Sequence, residues 1–361
     1  MSQWTGIDDL YQAEPEPESV IADMEPETTV VPSEPPAAPG VLGPGMFDVS
    51  AIAPKGVGKT SHLFGRRFTK QDQRRFRINQ IATRWATPKC VVVANVKGGA
   101  GKTPAAIGLA GAFGHWSGQT PILVDNDPTG NLRRRLEFCP ATTATLEDFA
   151  QLAPEYGPGT EVWKIQRFLV NQPEGQFLAL PARSRAAVEG PDGIKQPVAA
   201  TITSAQFEAV YRCLVTVSGI IIIDSGNNNR DSQWLGALSH ADALVVPVIW
   251  KKDYCDAAIE MLGDIEDAGY LSLARQAIIL ESVGSKNDVD DKIRKTYGSF
   301  MQKKWGLTVV RIPIDPHIGT NQAIRWTQLK NDTREAELVL ASEVSTRFTA
   351  KETRDSRVPL L

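Results

Sequence analysis

Cysteine and histidine are scarce in this sequence, four of each in 361 residues. Cys90, Cys139, Cys213 and Cys255 lie far apart, with no CxxC pair and no histidine at ligand spacing, so neither a zinc site nor a disulfide framework is indicated and buried free thiols are expected. The histidines fall in no triad sequence, which leaves His-based nucleophilic catalysis without support. Nowhere does the chain approach the about 18 uninterrupted apolar residues of a membrane span. Its start, MSQWTGIDDLYQ, has neither the basic nor the apolar region of a secretory signal. A soluble, cytoplasmic protein is expected.

Positive charge is missing altogether from residues 1–50, which carry ten Asp or Glu, whereas residues 51–90 hold ten Lys or Arg against the single acid Asp72. The net charge of −3 conceals this segregation, and segregated charge reports on partners rather than on fold. The Pro- and Glu-rich residues 1–65 bury too little apolar surface to offset their ordering entropy, and a disordered tail and linker are expected there. Within it, Trp4, Ile7, Leu10 and Tyr11 have a near-helical spacing suited to docking on a protein partner. KGVGKTS, residues 55–61, is one residue short of a Walker spacing, follows no strand, and is assigned to the linker. Residues 66–87 predict a basic amphipathic neck helix, with Ile78, Ile81, Ala82 and Trp85 on one stripe and Lys70, Arg74, Arg77 and Arg84 beside it. Two uses stay open for it: nonspecific contact with DNA or lipid, or packing of the apolar stripe on the body with solvated arginines.

Residues 88–350 form the expected body, followed by a flexible end at 351–361. Short β-branched runs alternate with helical stretches, the pattern of a mostly parallel twisted sheet with helices on both faces, an α/β fold. The expected strands are CVVVANV, TPILVDND, QFLALPA, GIIIIDS, ALVVPVI, QAIILES and LTVVRIP. Helices are expected near 103–116, 203–217, 254–268, 288–304, 318–329 and 333–348.

The sharpest signal is KGGAGKT, residues 97–103, between a strand and an Ala/Gly-rich helix. Gly98, Gly99 and Gly101 allow the backbone to turn its N–H groups inward, and the helix after the loop adds a dipole favourable to anionic phosphate. Lys102 is positioned to neutralise the β- and γ-phosphates of ATP, and Thr103 to offer its hydroxyl to Mg²⁺. The whole run Lys97, Gly98, Gly99, Ala100, Gly101, Lys102, Thr103 and Pro104 is the candidate nucleotide loop. GIIIIDSGNNN, residues 219–229, is a buried strand ending in an acid, and Asp224 is the candidate for holding a water in the Mg²⁺ shell. VDNDPTGNL, residues 124–132, supplies Asp125 and Asp127 at another strand end.

These three motifs resemble the ParA/MinD family of deviant Walker A ATPases, over roughly residues 88–330. The resemblance implies a P-loop NTPase fold and assigns roles by position. Lys97 would reach across an ATP-dependent homodimer to the other subunit's nucleotide, and so serves catalysis together with Lys102. Asp127 would position the attacking water, Asp125 would lie near the metal shell, and Pro313 and Asp315 would belong to the adenine-side loop. Departures from the family pattern are Pro104 for a second hydroxyl residue, Asn228 for the switch II glycine, and Glu281 for an adenine-reading Asn. Firm ATP binding with slow, partner-stimulated hydrolysis is the expectation. The layout is most similar to the MinD-like ATPase of actinobacterial type VII (ESX) secretion and to ParA-like plasmid proteins, implying a switch that positions DNA or a membrane-associated machine. A nucleotide-holding scaffold that barely turns over, in a type VII secretion or conjugation system, is the alternative. A small-substrate enzyme of dethiobiotin synthetase type fits the neck and tail less well. The polar end, TAKETRDSRVPLL, offers no stable membrane anchor.

Overall fold

The computed structural model describes residues 69–127, 132–183, 202–228, 232–282, 289–320 and 322–355, with short strand segments at 62–63, 66–67, 187–189 and 195–197. The acidic tail, its docking peptide and the 55–61 linker lie outside the described residues, as do residues 128–131 of the VDNDPTGNL motif. A short hairpin of β1 (His62–Leu63) and β2 (Arg66–Arg67) precedes helix α1 (Lys70–Ile81). Next come β3 (Lys89–Val93), α2 (Lys102–Trp116), β4 (Ile122–Asn126), α3 (Leu146–Leu152), α4 (Val162–Gln166), β5 (Val170–Gln172) and β6 (Phe177–Leu180). After a second hairpin, β7 (Ala187–Glu189) with β8 (Lys195–Pro197), stand α5 (Ser204–Leu214), β9 (Ile220–Ser225), α6 (Ser232–Ser239) and β10 (Ala243–Val248). The chain ends through α7 (Lys252–Asp267), α8 (Leu271–Arg275), β11 (Ile278–Glu281), α9 (Asp291–Trp305), β12 (Thr308–Arg311), α10 (Pro316–Gly319) and α11 (Asn331–Asp355).

Eight strands form one sheet in the order β12-β11-β10-β3-β9-β4-β6-β5, parallel throughout except for β5. β3, β9 and β10 are buried on both faces, as their unbroken Val/Ile runs require when helices cover both sides. Alternate residues feed two cores. Val92, Ile221, Ile223 and Leu244 face α5, α7 and α9, while Val91, Val93, Ile222 and Val245 face α2 and α11. Pro247 stands inside β10 without breaking the sheet. Its carbonyl, like that of Val245, faces β3, so its nitrogen faces there too, but β3 pairs with β10 only as far as Val245.

All seven expected strands are present. β5, three residues long and antiparallel to β6, is an addition that its short polar-flanked sequence did not announce. The expected helix at 318–329 is replaced by α10 and a 3₁₀ turn at Trp326–Gln328. The reason is that its backbone donors are drawn outward: Ile324 N–H bonds Arg135 O at 2.8 Å and Arg325 N–H bonds His317 Nε2 at 2.8 Å. α1 opens with a capping box between Thr69 and Asp72 and lies along α11. Ile81 is buried, Trp85 meets Phe348 edge-on at 5.1 Å, and Arg74 pairs with Glu335 at 2.8 Å. Lys70, Arg75 and Arg84 remain exposed. α11 runs to Asp355, past the boundary expected at 350. Among the described residues no helix is long and apolar enough to cross a membrane.

The glycines of α2 are set by close approach. A Cβ on Gly111 would collide with the Trp326 ring, and one on Gly108 with the Glu337 carboxyl of α11. Glu337 is 1% exposed, one of its oxygens has no partner, and burial pushes its pKa from near 4.5 up to about 8. Because the folded acid holds its proton more tightly than the unfolded one, its contribution to stability is intact below about 4.5 and is lost as pH rises through 8. Glu337→Gln removes that titration. Denaturant unfolding at pH 9 is expected to show the variant ahead of wild type by roughly 1–3 kcal/mol, with the gap closing toward pH 5. An identical pH dependence for both proteins would refute the assignment.

Candidate functional site

Three parallel strands deliver their carboxyl ends to one place. β9 pairs with β3 on one side, Val93 opposite Asp224, and with β4 on the other, Asp125 opposite Asp224. The loop that leaves β3 is anchored by Asn95, whose side chain donates to Pro247 O at 2.7 Å and accepts the Lys97 N–H at 2.9 Å. Gly99 and Gly101 then take positive φ, 78° and 92°. At Gly101 a Cβ would also collide with Ser282, so the last turn before α2 admits no side chain. Gly101 caps α2 without a side-chain bond, and the first turn of the helix contains no acid. Its outward N–H groups and positive dipole end therefore remain a place for an anion. Pro104 sits within that first turn, where its lack of an N–H is tolerated. Ala100 is fully buried behind the loop.

Lys102 begins α2 and is 7% exposed. Its ammonium donates to Asn95 O at 2.9 Å and to Asn227 Oδ1. Burial lowers its pKa, opposed by the charges of Asp224 and Asp127. Asp224 is the least satisfied group of the site. Burial pushes its carboxyl up to about 7, while the Thr103 hydroxyl and Lys102 favour its charged form and Asp127 disfavours it. Thr103 lies near, yet neither carboxylate oxygen receives a hydrogen bond of full geometry.

Asp125 stands opposite Asp224 on the neighbouring strand, and its oxygens accept backbone N–H groups. Its Oδ1 accepts the Asp127 N–H at 3.3 Å, and its Oδ2 accepts those of Leu132 at 3.2 Å and Ala182 at 3.4 Å. Occupied in this way it ties Leu132 and Ala182 to the end of β4, and burial, then Asp224 and Asp127, hold its pKa well above the carboxylate range. Asp127 is 6% exposed and close enough to Lys102 and Asp224 to influence both. Lys97 lies apart from this group. Its ammonium pairs with Asp253 at 2.9 Å at the start of α7 and stands 5.6 Å above the Tyr254 ring.

Glu281 is buried and bound by Arg311 at 2.6 Å, with Arg294 at 4.0 Å. Asp315 takes the His317 N–H at 3.0 Å, the Lys330 N–H at 2.8 Å and the Thr333 hydroxyl at 2.8 Å, tying the loop after the half-buried Pro313 to α11. Asn227 falls in the segment expected to form switch II, residues 225–228, whereas Asn95, Asp253, Tyr254 and Ser282 were not anticipated as site residues. Their only sequence signal is position, at or just beyond strand ends.

Among the described residues no group of three or more His, Cys, Asp or Glu forms a metal cage. An orphaned buried carboxylate beside a hydroxyl is a hard-oxygen set that fits Mg²⁺, which keeps several waters and needs only one or two protein ligands.

Solved structures share this fold at low identity. A ParA family ATPase from Chlorobium tepidum TLS has a TM-score of 0.54 at 16% identity, covering 71% of this chain and 98% of that one. Cobyrinic acid a,c-diamide synthase from Mycobacterium smegmatis, with bound ATP analog and magnesium, scores 0.51 at 18%, covering 73% and 97%. The septum site-determining protein MinD from Pyrococcus horikoshii OT3, complexed with Mg-ADP, scores 0.50 at 16%, covering 75% and 99%. A search of curated proteins finds no match. The model of the CobQ/CobB/MinD/ParA nucleotide binding domain matches residues 91–293, more than half of the sequence, and the chain belongs to that family.

Proposed function

We propose that the protein is an ATP-binding and ATP-hydrolysing switch of the ParA/MinD type, which dimerises with ATP to position or partition a macromolecular cargo. The observation that carries this reading is the buried pair at the strand ends, Lys102 with two donors fixed and Asp224 with no acceptor satisfied, beneath a glycine loop and an uncapped helix N-terminus. Lys102, the N–H groups of residues 98–103 and the α2 dipole bind the triphosphate. Thr103 and Asp224 hold Mg²⁺ and its waters, and the metal when bound supplies the positive charge that offsets the phosphate oxygens. Asp127, directly after β4, orients a water by accepting its proton through a carboxylate oxygen. Family likeness to structures holding Mg-ADP and an ATP analog with magnesium supports the choice of ligand.

Lys97 supports the dimeric part. It lies outside the phosphate cradle, half exposed, on an Asp253 that is exposed as well. A surface ion pair of this kind holds its lysine weakly. Two triphosphates facing each other across a two-fold interface repel, and one lysine from each side offsets that repulsion where water is excluded. Pro104 and Asn228 favour slow turnover, so a scaffold that holds ATP remains the second reading. The exposed Lys70 and Arg75 on α1 and Arg84 just beyond it suit nonspecific contact with DNA phosphates.

Lys102→Ala is expected to weaken Mg-ATP binding by roughly a hundredfold or more, since it removes the cation facing the phosphates. Calorimetric titration checks this, and equal affinity for variant and wild type would end the phosphate-site reading. Lys97→Ala is expected to keep most of the ATP affinity while losing ATP-dependent dimerisation and turnover. Light scattering at matched concentration with ATP or ADP decides it: a wild type that stays monomeric, or a variant that still dimerises, rules out the switch.

A further inference from the structure

The Lys102 ammonium has three N–H donors. One goes to the Asn95 carbonyl at 2.9 Å. That acceptor is part of the loop's frame, because the Asn95 side chain is itself fixed between Pro247 O and the Lys97 N–H. A second donor goes to Asn227 Oδ1, a side chain on an exposed residue just past β9. The Asn227 amide nitrogen lies 4.0 Å from where a Gly98 Cβ would stand, so the carboxamide reaches from the lysine to the first glycine of the loop. One lysine donor remains. A diphosphate can be served by that donor alone, but the additional oxygens of a triphosphate call on a second. Of the two acceptors already in place only Asn227 can yield, since it is a neutral side chain at the surface and an anionic oxygen makes the stronger bond to an ammonium.

We propose that Asn227 discriminates nucleoside triphosphate from diphosphate, by holding the Lys102 N–H that the γ-phosphate requires. The inference rests on the ATP-site reading above and adds a role to switch II. Diphosphate leaves the Lys102–Asn227 bond in place; triphosphate breaks it and frees the side chain. The backbone upstream does not give way, because the Gly226 N–H is held by Asn126 O at 3.2 Å. The event is thus confined to Asn227 and the residues C-terminal to it. Asn227 acts through Lys102 and is a positioning residue.

The test is calorimetric titration of the full chain with a non-hydrolysable Mg-ATP analogue and with Mg-ADP, for wild type, Asn227→Ala and Asn227→Asp. Removing the competing acceptor in Asn227→Ala is expected to raise the ratio of triphosphate to diphosphate affinity roughly tenfold. A fixed anion on Lys102 in Asn227→Asp is expected to lower that ratio by a similar factor. A purely structural role would weaken both nucleotides in parallel in both variants. An unchanged ratio in Asn227→Ala, or parallel losses, overturns the inference while leaving the ATP site standing. A wild type that binds neither nucleotide overturns the ATP-site reading and this inference together.

Discussion

Three carboxylates, Asp125, Asp127 and Asp224, are buried with a single ammonium, Lys102, at the ends of β3, β4 and β9. Burial, and after it the like charges close by, disfavours ionisation without further compensation, and the pKa values of Asp125 and Asp224 are raised accordingly. Each acid answers the shortage in its own way. Asp125 collects the backbone N–H groups of Asp127, Leu132 and Ala182. Asp224 collects none, which leaves it as the group that gains most from a cation. Lys102 in turn cannot be buried without acceptors, and the two it finds come from the strand before the loop and the segment after β9. The electrostatics of four side chains thus tie together the ends of three strands.

Much of this was legible in the sequence because it depends on local chemistry. Unbroken β-branched runs, buried on both faces, place β3, β9 and β10 at the centre without any knowledge of their partners. The glycines of residues 97–103 and the acid closing β9 announce the loop and its neighbour by type and spacing. What could not be read is what depends on contacts distant in sequence. Nothing about Asp125 distinguishes a metal-facing carboxylate from one taken up by Leu132 and Ala182, the latter 57 residues away. Glu281 is neutralised by Arg311 on the next strand, a pairing that register alone determines. The segment 318–329 has a helical look, but His317 and Arg135 take the donors a helix would need.

The second core shows the same dependence in its packing. α2 has a nearly uniform run of small residues, and by itself this says only that something comes close. The partners are Trp326 over Gly111 and Glu337 over Gly108. α11 therefore lies against α2 at a distance that alanine at Gly108 would spoil, and Ile81 of α1 and Trp85 just beyond it join the same cluster, Trp85 on Phe348 and Phe348 on Phe113. Asp315 joins this layer to the loop after β12 with three hydrogen bonds. The helix that carries the phosphate loop's lysine is consequently clamped along its length, and the loop moves, if at all, relative to a rigid base.

Pro247 has a consequence that goes beyond its own strand. Parallel strands tend to zip as far as their donors and acceptors allow, and the last β3–β10 rung is the Ala94 N–H on Val245 O. The imino acid withholds the one hydrogen that would add the next rung, and its carbonyl is handed to the Asn95 side chain instead. Zipping stops at that point, and the backbone after Asn95 is released from the sheet just where it must begin to curl. A missing hydrogen in one strand thereby closes one side of its neighbour's ladder just ahead of the glycine loop.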